Sequence, residues 1–433
     1  MDRNTLLEDL FLAYFSARKN KRNTWNQLRF EINYERELFA LAEEIIERRY
    51  ELRPSIAFVV DEPVKREIFA ADFRDRVIHH LLHRHLYPVL DKQFITDSYS
   101  CRTGKGTLYG VKRAEEFVKQ CSENYTKDCY VLKLDISGYF MSMNKGLLWN
   151  KLEKMLQTSD FPLHSSLYRE ELAPSAEGLS ELIWYLLDKV IWNDPRKNCI
   201  IKGKRSNWDG LPPSKSLFRA AENCGLPIGN LTSQLFSNVY LHDFDCYVKN
   251  DLGVKYYGRY VDDFILIHPD KAFLFDALVK IKQHLAEHSA LILHPNKIYL
   301  QHYTKGFAFL GSYIKPHRIY INNRTKKKFS QTVYQSDKEL KRKNPNRKDL
   351  ERWRAVINSY LGILKHYKTY NIRKKVLIGK SREFFKYGHL EGLKKYCLNR
   401  VIPPPLMRGD GGVALSLLLL SSNKPKSDGN MNF

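Results

Sequence analysis

Apolar residues recur along this chain with two different periods. Near the N-terminus Leu38, Leu41, Ala42, Ile45 and Ile46 follow the i, i+3, i+4 spacing of one helix face. That pattern runs out near Tyr50, before Pro54, where a helix is expected to stop. In the middle of the chain the period shortens to two. Residues 130–136 and 255–267 alternate and are rich in β-branched and aromatic side chains, which predicts strands; the second run is interrupted by Asp262-Asp263. Residues 307–314 form a third predicted strand. Helical spacing predicts helices over 75–90, 107–120, 233–250 and 271–289. It returns near the C-terminus in Trp353, Val356, Ile357, Tyr360, Leu361 and Leu364. Strands interspersed with helices predict an α/β or α+β core.

Composition narrows the class. Of 433 residues, 43% are hydrophobic and 13% aromatic, enough to bury a large core and unlike a disordered chain. The length suggests two or three structural units at roughly 150 residues each. No run approaches the ~20 apolar residues of a membrane span; residues 413–420 are apolar but short. Glu8 and Asp9 interrupt the first apolar stretch, which argues against a signal peptide. The cysteines at 101, 121, 129, 199, 224, 246 and 397 are odd in number and contain no CxxC pair. A disulfide framework or zinc knuckle is therefore not expected, and a cytoplasmic location is.

Charge points to the partner. Lys and Arg number 71 against 48 Asp and Glu, a net +23 that calls for a polyanion. Residues 324–400 hold 23 basic and 6 acidic residues, a net +17, so phosphate contact is expected of this helical segment. A smaller basic patch, Arg18, Lys19, Lys21 and Arg22, precedes the first periodic helix. From Pro403 on, Pro, Gly, Ser and Asn dominate and predict a disordered tail.

Three stretches carry candidate chemistry. In Arg259-Tyr-Val-Asp262-Asp263-Phe-Ile-Leu-Ile267 two acids sit between apolar flanks. An Asp pair of this kind is either a plain hairpin turn or a charged pair needing a cation. Turn acids usually have Gly or Asn beside them, whereas Val261 and Phe264 place these against apolar surface, where carboxylates are costly without a compensating positive charge. Leu132-Lys-Leu-Asp135-Ile-Ser-Gly-Tyr-Phe140 ends an apolar strand in one acid, which would otherwise suit a helix N-cap. Carboxylates from two strand ends could hold two Mg2+ ions, since Mg2+ takes oxygen ligands. Gly225-Leu-Pro-Ile228-Gly229-Asn-Leu-Thr-Ser-Gln234 leads a Gly/Pro turn into a helix N-terminus, either an anion-binding turn or an ordinary cap.

Together these blocks resemble the palm motifs of reverse transcriptases, in order and spacing, over residues 65–314. The resemblance implies an α+β right-hand polymerase fold: an N-terminal helical extension (1–60), fingers (61–125), a palm with an antiparallel sheet (126–314, with an insertion at about 151–222), a basic helical thumb (315–402) and the tail (403–433). It implies RNA-directed DNA synthesis with Asp135, Asp262 and Asp263 as catalytic acids. These and the Ile136 carbonyl would hold two Mg2+ ions, for which Mn2+ can substitute. Lys65-Arg66-Glu67-Ile-Phe-Ala-Ala-Asp-Phe-Arg-Asp-Arg76 and Asp97-Ser-Tyr-Ser-Cys-Arg102 look like fingers motifs, making Arg66, Arg76 and Arg102 candidates for the triphosphate and template. Phe140 looks like the gate against a 2′-hydroxyl. Ile228, Gly229 and Gln234 look like the nascent-pair block, and Phe309, Leu310 and Gly311 like the primer grip.

A subgroup is also suggested. Most reverse transcriptases have Gln and Pro where Ile228 and Gln234 stand, and this variant resembles the reverse transcriptases of diversity-generating retroelements. Ser206-Asn-Trp208 through Leu211-Pro-Pro-Ser-Lys215-Ser-Leu-Phe218 resembles that subgroup too. The resemblance implies cDNA that is error-prone opposite template adenines. It also implies a template-repeat RNA, a cDNA/RNA hybrid, dNTPs as substrates, a small basic accessory variability protein, mutagenic retrohoming and a bacterial or phage source. Ile228 can offer only apolar contact where Gln would hydrogen-bond. The alternatives are a retron- or group II intron-type reverse transcriptase, or a catalytically inactive, nucleic-acid-binding polymerase fold. Two other patterns are set aside: Arg102-Thr-Gly104-Lys105-Gly-Thr lacks the first Gly of a P-loop, and His79 and His83 lack the Glu of HExxH.

Overall fold

The computed structural model describes residues 3–19, 24–62, 64–158, 174–342, 345–379 and 382–399. Lys21, Arg22 and the expected tail from Pro403 lie outside the described residues. The chain divides into two units, Met1–Asn322 and Asn323 onward.

The first unit opens with α1 (Arg3–Arg18), α2 (Trp25–Ile32) and α3 (Tyr34–Ile46). Leu38, Leu41, Ala42 and Ile45 are buried as their spacing requires, whereas Ile46 faces outward. The last helix stops at Ile46 rather than near Tyr50 because Arg48 adopts a left-handed φ of 58°. Strands β1 (Ser55–Val60) and β2 (Arg66–Ala70) pair antiparallel. Asp72 caps α4 (Phe73–Gln93) by accepting from the Arg74 N–H, and α5 (Thr107–Cys121) follows.

The centre is a four-stranded antiparallel sheet. Its strands are β3 (Tyr130–Asp135), β5 (Tyr256–Tyr260), β6 (Asp263–His268) and β7 (Tyr299–His302), in the order β5–β6–β3–β7. The two-residue period sends Leu132, Leu134, Phe264 and Leu266 into the main core. Val131, Ile265 and Ile267 pack on the opposite side with Val111, Ala114 and Phe117 of α5. Between β3 and β5 the chain forms α6 (Tyr139–Ser142), α7 (Lys145–Gln157), α8 (Pro174–Trp192), β4 (Cys199–Ile201), three short 3-10 turns, α9 (Leu231–Tyr240) and α10 (His242–Cys246). Strand β4 joins β1 in parallel, giving a three-stranded sheet in the order β2–β1–β4.

Two predicted elements are corrected. The helix expected over 233–250 breaks at Leu241, whose φ/ψ of −105°/9° leaves the helical basin, and resumes as α10 and a π turn. The strand expected over 307–314 is a hairpin of β8 (Phe307–Phe309) and β9 (Ser312–Lys315), extended by β10 (Arg318–Ile321). By contrast α11 (Lys271–Ser289) occupies its predicted span.

The second unit holds α12 (Asn323–Arg342), α13 (Arg347–Leu364), α14 (Tyr370–Leu377), α15 (Phe384–Tyr387) and a hairpin of β11 (Gly388–Glu391) and β12 (Lys395–Leu398). Trp353, Ile357, Leu361 and Leu364 are buried along α13. The Asn358 amide pairs with both backbone groups of Tyr396, at 2.9 and 2.7 Å, tying α13 to β12. This unit begins at Asn323 rather than at residue 315, because β10 hydrogen-bonds back onto β9. Among the described residues no helix is long and apolar enough to cross a membrane.

Candidate active site

The backbone brings the three acids together from two strand ends and a turn. In the β3–β6 register Asp135 lies directly opposite Asp263, and Tyr260 pairs with Asp263 across β5–β6. The β5–β6 connection is therefore a two-residue loop, Val261-Asp262. Strand alternation puts Asp135 and Asp263 on one face of the sheet. The Ile136 N–H donates to the Asp262 carbonyl at 3.1 Å, and the His294 N–H to the Asp135 carbonyl at 2.8 Å, so the strand end is held on both sides.

The electrostatics are unfavourable without a cation. Burial, opposed by Lys133 and reinforced by Asp262 and Asp135, pushes the Asp263 carboxyl up to about 7. Asp262 is also raised, by burial and then by Asp135, with Lys297 and Arg66 acting the other way. Asp263 Oδ1 has no solvent access and no hydrogen-bond partner, although such an oxygen is costly to bury alone. Two ammonium groups sit on the cluster: Lys297 Nζ spans both Asp135 oxygens at 2.8 and 2.9 Å, and Lys133 Nζ lies 3.3 Å from Asp263 Oδ2. An all-oxygen donor set, an orphaned carboxylate oxygen and an ammonium already drawn onto Asp135 fit Mg2+ or Mn2+. A tighter group of potential metal-binding atoms, within 4.8 Å of one another, is His389, Glu391 and Cys397 in the second unit. There Cys397 already donates to Glu391 at 3.0 Å.

The turn itself is strained and clamped. Val261 has φ 58°, a conformation costing a residue with a Cβ roughly 1–2 kcal/mol. Its carbonyl accepts from Arg259 Nη1 at 3.0 Å. That guanidinium is fully buried and makes a two-point ion pair with Asp245 of α10, at 2.7 and 2.6 Å, while the Tyr257 hydroxyl donates to the same carboxylate. A buried pair thus fixes the residue immediately before Asp262.

The other expected residues divide into those near this cluster and those elsewhere. Arg66 is exposed at the start of β2, close enough to Asp262 to favour its ionised form. Arg76 is half-buried on α4, where desolvation lowers its pKa and Asp72 opposes this; among the described residues no ion pair is formed by it. The Arg102 guanidinium donates to Asp91 Oδ1, the Asp91 carbonyl and the carbonyls of Ile95 and Ser98, and lies over the Phe94 ring. Four of its five N–H groups thus fasten the end of α4 and the segment just after it. Phe140 and Ile228 meet in one small apolar cluster with Ala57, Phe69, Met141 and Leu217. Gly229, at φ 130°, runs so close to β2 that a Cβ would stand 3.1 Å from Ile68 and 3.3 Å from the Phe69 carbonyl. Gln234 is exposed on the first turn of α9. Phe309 is buried, while Leu310 and Gly311 form the tip of the β8–β9 hairpin.

Lys297, Lys133 and the Arg259–Asp245 pair were not anticipated. Lys133 and Arg259 stand within the motifs and could have been suspected from proximity; Lys297 is 162 residues from Asp135 and carries no local signal. The histidines set aside earlier are packed into the fold: the His79 ring meets the Thr232 hydroxyl at 2.8 Å, burial followed by the nearby His80 and Arg76 holds its pKa down to about 3, and His83 stacks on Tyr87.

A family model described as reverse transcriptase (RNA-dependent DNA polymerase) matches residues 65–314. Protein YkfC of Escherichia coli (strain K12) is 22% identical over 309 residues, which is 64% of this chain and 70% of YkfC. Among solved structures, apo telomerase from Candida tropicalis is similar with TM-score 0.47 at 11% identity, covering 86% of this chain and 74% of that one. A form of that telomerase truncated from its C-terminal domain gives TM-score 0.44 at 12% identity over 63% of this chain; the chain spans 55% of its length.

Proposed function

Since the chain belongs to the reverse transcriptase family, over residues 65–314, we propose that it copies an RNA template into DNA at the carboxylate cluster of β3 and β6. The observation that carries this is the register Asp135 opposite Asp263, with Asp262 on a strained turn and one carboxylate oxygen left without a partner. Asp135, Asp262 and Asp263, with the Ile136 carbonyl, would hold two Mg2+ ions, or Mn2+ in their place. Bound there, the ions would neutralise the triphosphate and lower the pKa of the primer hydroxyl. In the reaction a bond forms between the primer 3′ oxygen and the α-phosphorus of a dNTP. The bond from that phosphorus to the bridging oxygen breaks, the hydroxyl proton passes to solvent and pyrophosphate departs.

The chain's own groups position these partners. Arg66 and Arg76 meet the triphosphate, where a guanidinium fork matches phosphate oxygens. Phe140 stands against the 2′ position and rejects a hydroxyl there. Ile228, Gly229 and Gln234 face the nascent pair, and Phe309, Leu310 and Gly311 the primer end. The second unit, rich in Lys and Arg, grips the cDNA/RNA hybrid by its phosphates, as A-form duplexes are held.

Within the family we assign the chain to the diversity-generating type, on Ile228 and Gln234 and on the 206–218 stretch. Its template is then a template-repeat RNA, its partner a small basic accessory variability protein, its product adenine-mutated cDNA for mutagenic retrohoming, and its site of action the cytoplasm. The test is primer extension on a defined RNA template with Mg2+ and all four dNTPs, followed by sequencing of the cDNA. Errors concentrated opposite adenine, reduced by Ile228→Gln, are expected. Accurate cDNA would retain the polymerase and overturn the subtype.

A further inference from the structure

Residues 205–219 lie far from the three acids in sequence, yet they are built into the fold around Phe140 and Ile228. Their anchor is Glu67 of β2, next to Arg66 and only 1% exposed. Its carboxylate faces no lysine or arginine in any ion pair among the described residues, and it is satisfied by donors from this one segment. Trp208 Nε1 donates to Oε1 at 2.6 Å, the Ser216 hydroxyl to the same oxygen at 2.8 Å, and the Leu217 backbone N–H to Oε2. Lys65 adds a bond from its ammonium to the Asp209 carbonyl at 2.7 Å. One face of β2 serves both contacts: Glu67 latches the segment, and Phe69, two residues on and so on the same face, packs its ring 5.1 Å from Phe218.

The latched segment then supplies one side of the small core that contains Phe140 and Ile228. Leu217 is buried in it, and Trp208 packs at its edge. Ser214 presses its carbonyl onto the turn between Asp135 and Phe140: a Cβ on Gly138, at φ 56°, would stand 2.9 Å from that oxygen. Ile228 is held from the other side, its carbonyl accepting from the Phe69 N–H at 3.0 Å, and Phe140 by its carbonyl accepting from the Leu226 N–H at 2.8 Å. Phe140 and Ile228 therefore share their small core with residues 205–219 and with the strand that latches them.

We infer that residues 205–219 form a fidelity-setting wall behind the nucleotide pocket, with Glu67 as the positioning residue that locks the wall in place. The inference rests on the assignment of Phe140 and Ile228 to the nucleotide pocket. Apolar side chains cannot select a base by hydrogen bonding, so their selectivity depends on how rigidly their shape is held. A carboxylate buried with three donors is a strong and directional fastening. Replacing it with an amide is isosteric but turns one oxygen into a donor. An amide nitrogen at Oε1 would face the Trp208 N–H, and one at Oε2 the Leu217 N–H, so neither rotamer restores the latch.

The experiment compares the full chain with its Glu67→Gln, Trp208→Phe, Ser216→Ala and Ile228→Gln variants. Single-nucleotide incorporation on an RNA template gives kcat and KM for matched and mismatched dNTPs, and thermal melting is measured alongside. Loss of one charged hydrogen bond corresponds to about a tenfold change. Glu67→Gln and Trp208→Phe are expected to lower the matched-to-mismatched ratio of kcat/KM about that much, mainly through KM, with Ser216→Ala weaker because the carboxylate keeps the Trp208 and Leu217 N–H donors and the Trp208 ring keeps its packing. Variants that melt lower but discriminate as the parent does would make the segment a plain brace and overturn the inference, and the mild Trp208→Phe and Ser216→Ala changes decide this if Glu67→Gln does not fold. A change of discrimination in Ile228→Gln alone would also overturn the wall while leaving the pocket assignment intact. Discrimination unmoved in all four would instead overturn the pocket assignment.

Discussion

Two of the two-residue hairpin turns in the first unit, β5–β6 and β8–β9, solve the turn in opposite ways. Between β8 and β9 the turn is Leu310-Gly311, with φ 46° and 78°; both central residues are left-handed, as in a type I′ turn, and a glycine takes the second place. Leu310 is held by packing, close enough to Gly110 that a Cβ there would lie 2.7 Å from its Cδ1. Between β5 and β6 the turn is Val261-Asp262, where only Val261 has positive φ. That is the first central position, which type II′ turns give to glycine. A β-branched residue there costs energy, and the residue after it brings a charge toward buried apolar surface. The chain holds this arrangement with an internal ion pair rather than removing it. Strain and buried charge meet at one turn and not at the other, and the turn that carries both is the one we assign to chemistry.

The largest way to break this contrast is to unlock the clamp. Asp245→Asn leaves the Arg259 guanidinium buried without its counter-charge, which should cost about 3–5 kcal/mol of stability. It should also lower kcat for nucleotide addition more than it raises KM, because the Val261 carbonyl loses its anchor. Chemical denaturation and steady-state kinetics check both; a stability loss with unchanged kcat would show that the clamp serves folding alone.

Next in size is a pH effect outside the site. Asp75 accepts from the Tyr50 hydroxyl at 2.9 Å and the Arg53 N–H at 2.8 Å, yet burial raises its pKa from 3.8 to about 6. The folded state therefore holds a proton that the unfolded chain has released, so this group's contribution is full below pH 4 and is lost as pH rises to 6. The loss is of order 3 kcal/mol. Asp75→Asn should lack this loss. The stability of wild type relative to the variant should fall by that amount between pH 4 and pH 7, and a constant difference across that range would contradict it.

The smallest effect sharpens the comparison of the two turns. Val261→Gly should relieve left-handed strain of about 1–2 kcal/mol but add glycine's chain entropy of about 0.5–1 kcal/mol, leaving stability nearly unchanged. Leu310→Gly relieves the same strain at the same entropic cost but also loses packed, partly buried apolar surface, and should destabilise by about 1–2 kcal/mol. Melting curves of the two variants should separate in that order. Equal losses would mean that Val261, too, is held chiefly by packing.

Much of this was readable in the sequence, for physical reasons. Asp262-Asp263 stood out because Val261 and Phe264 are poor turn neighbours, and Asp135 because an apolar strand ended on it. The register that sets Asp135 opposite Asp263 follows from the two-residue period of both strands. The break of the predicted 233–250 helix was hidden because Leu241 is a good helix former with no Gly or Pro beside it. The local role of Arg102 was hidden because a motif position says nothing about what its guanidinium meets; four nearby acceptors hold it. Glu67 was invisible because its three donors lie about 150 residues away, and Lys297 because a lone lysine carries no pattern.

The central claim is that Asp135, Asp262 and Asp263 form a metal-dependent site for RNA-templated DNA synthesis. Its most direct test is primer extension on an RNA template, with Mg2+ or with a chelator, by the full chain and by its Asp262→Ala/Asp263→Ala variant, with binding of an RNA–DNA hybrid measured on the same preparations. The account predicts cDNA from the wild type only when Mg2+ is present, none from the variant, and hybrid binding by both. Extension by the variant at the wild-type rate would contradict the site.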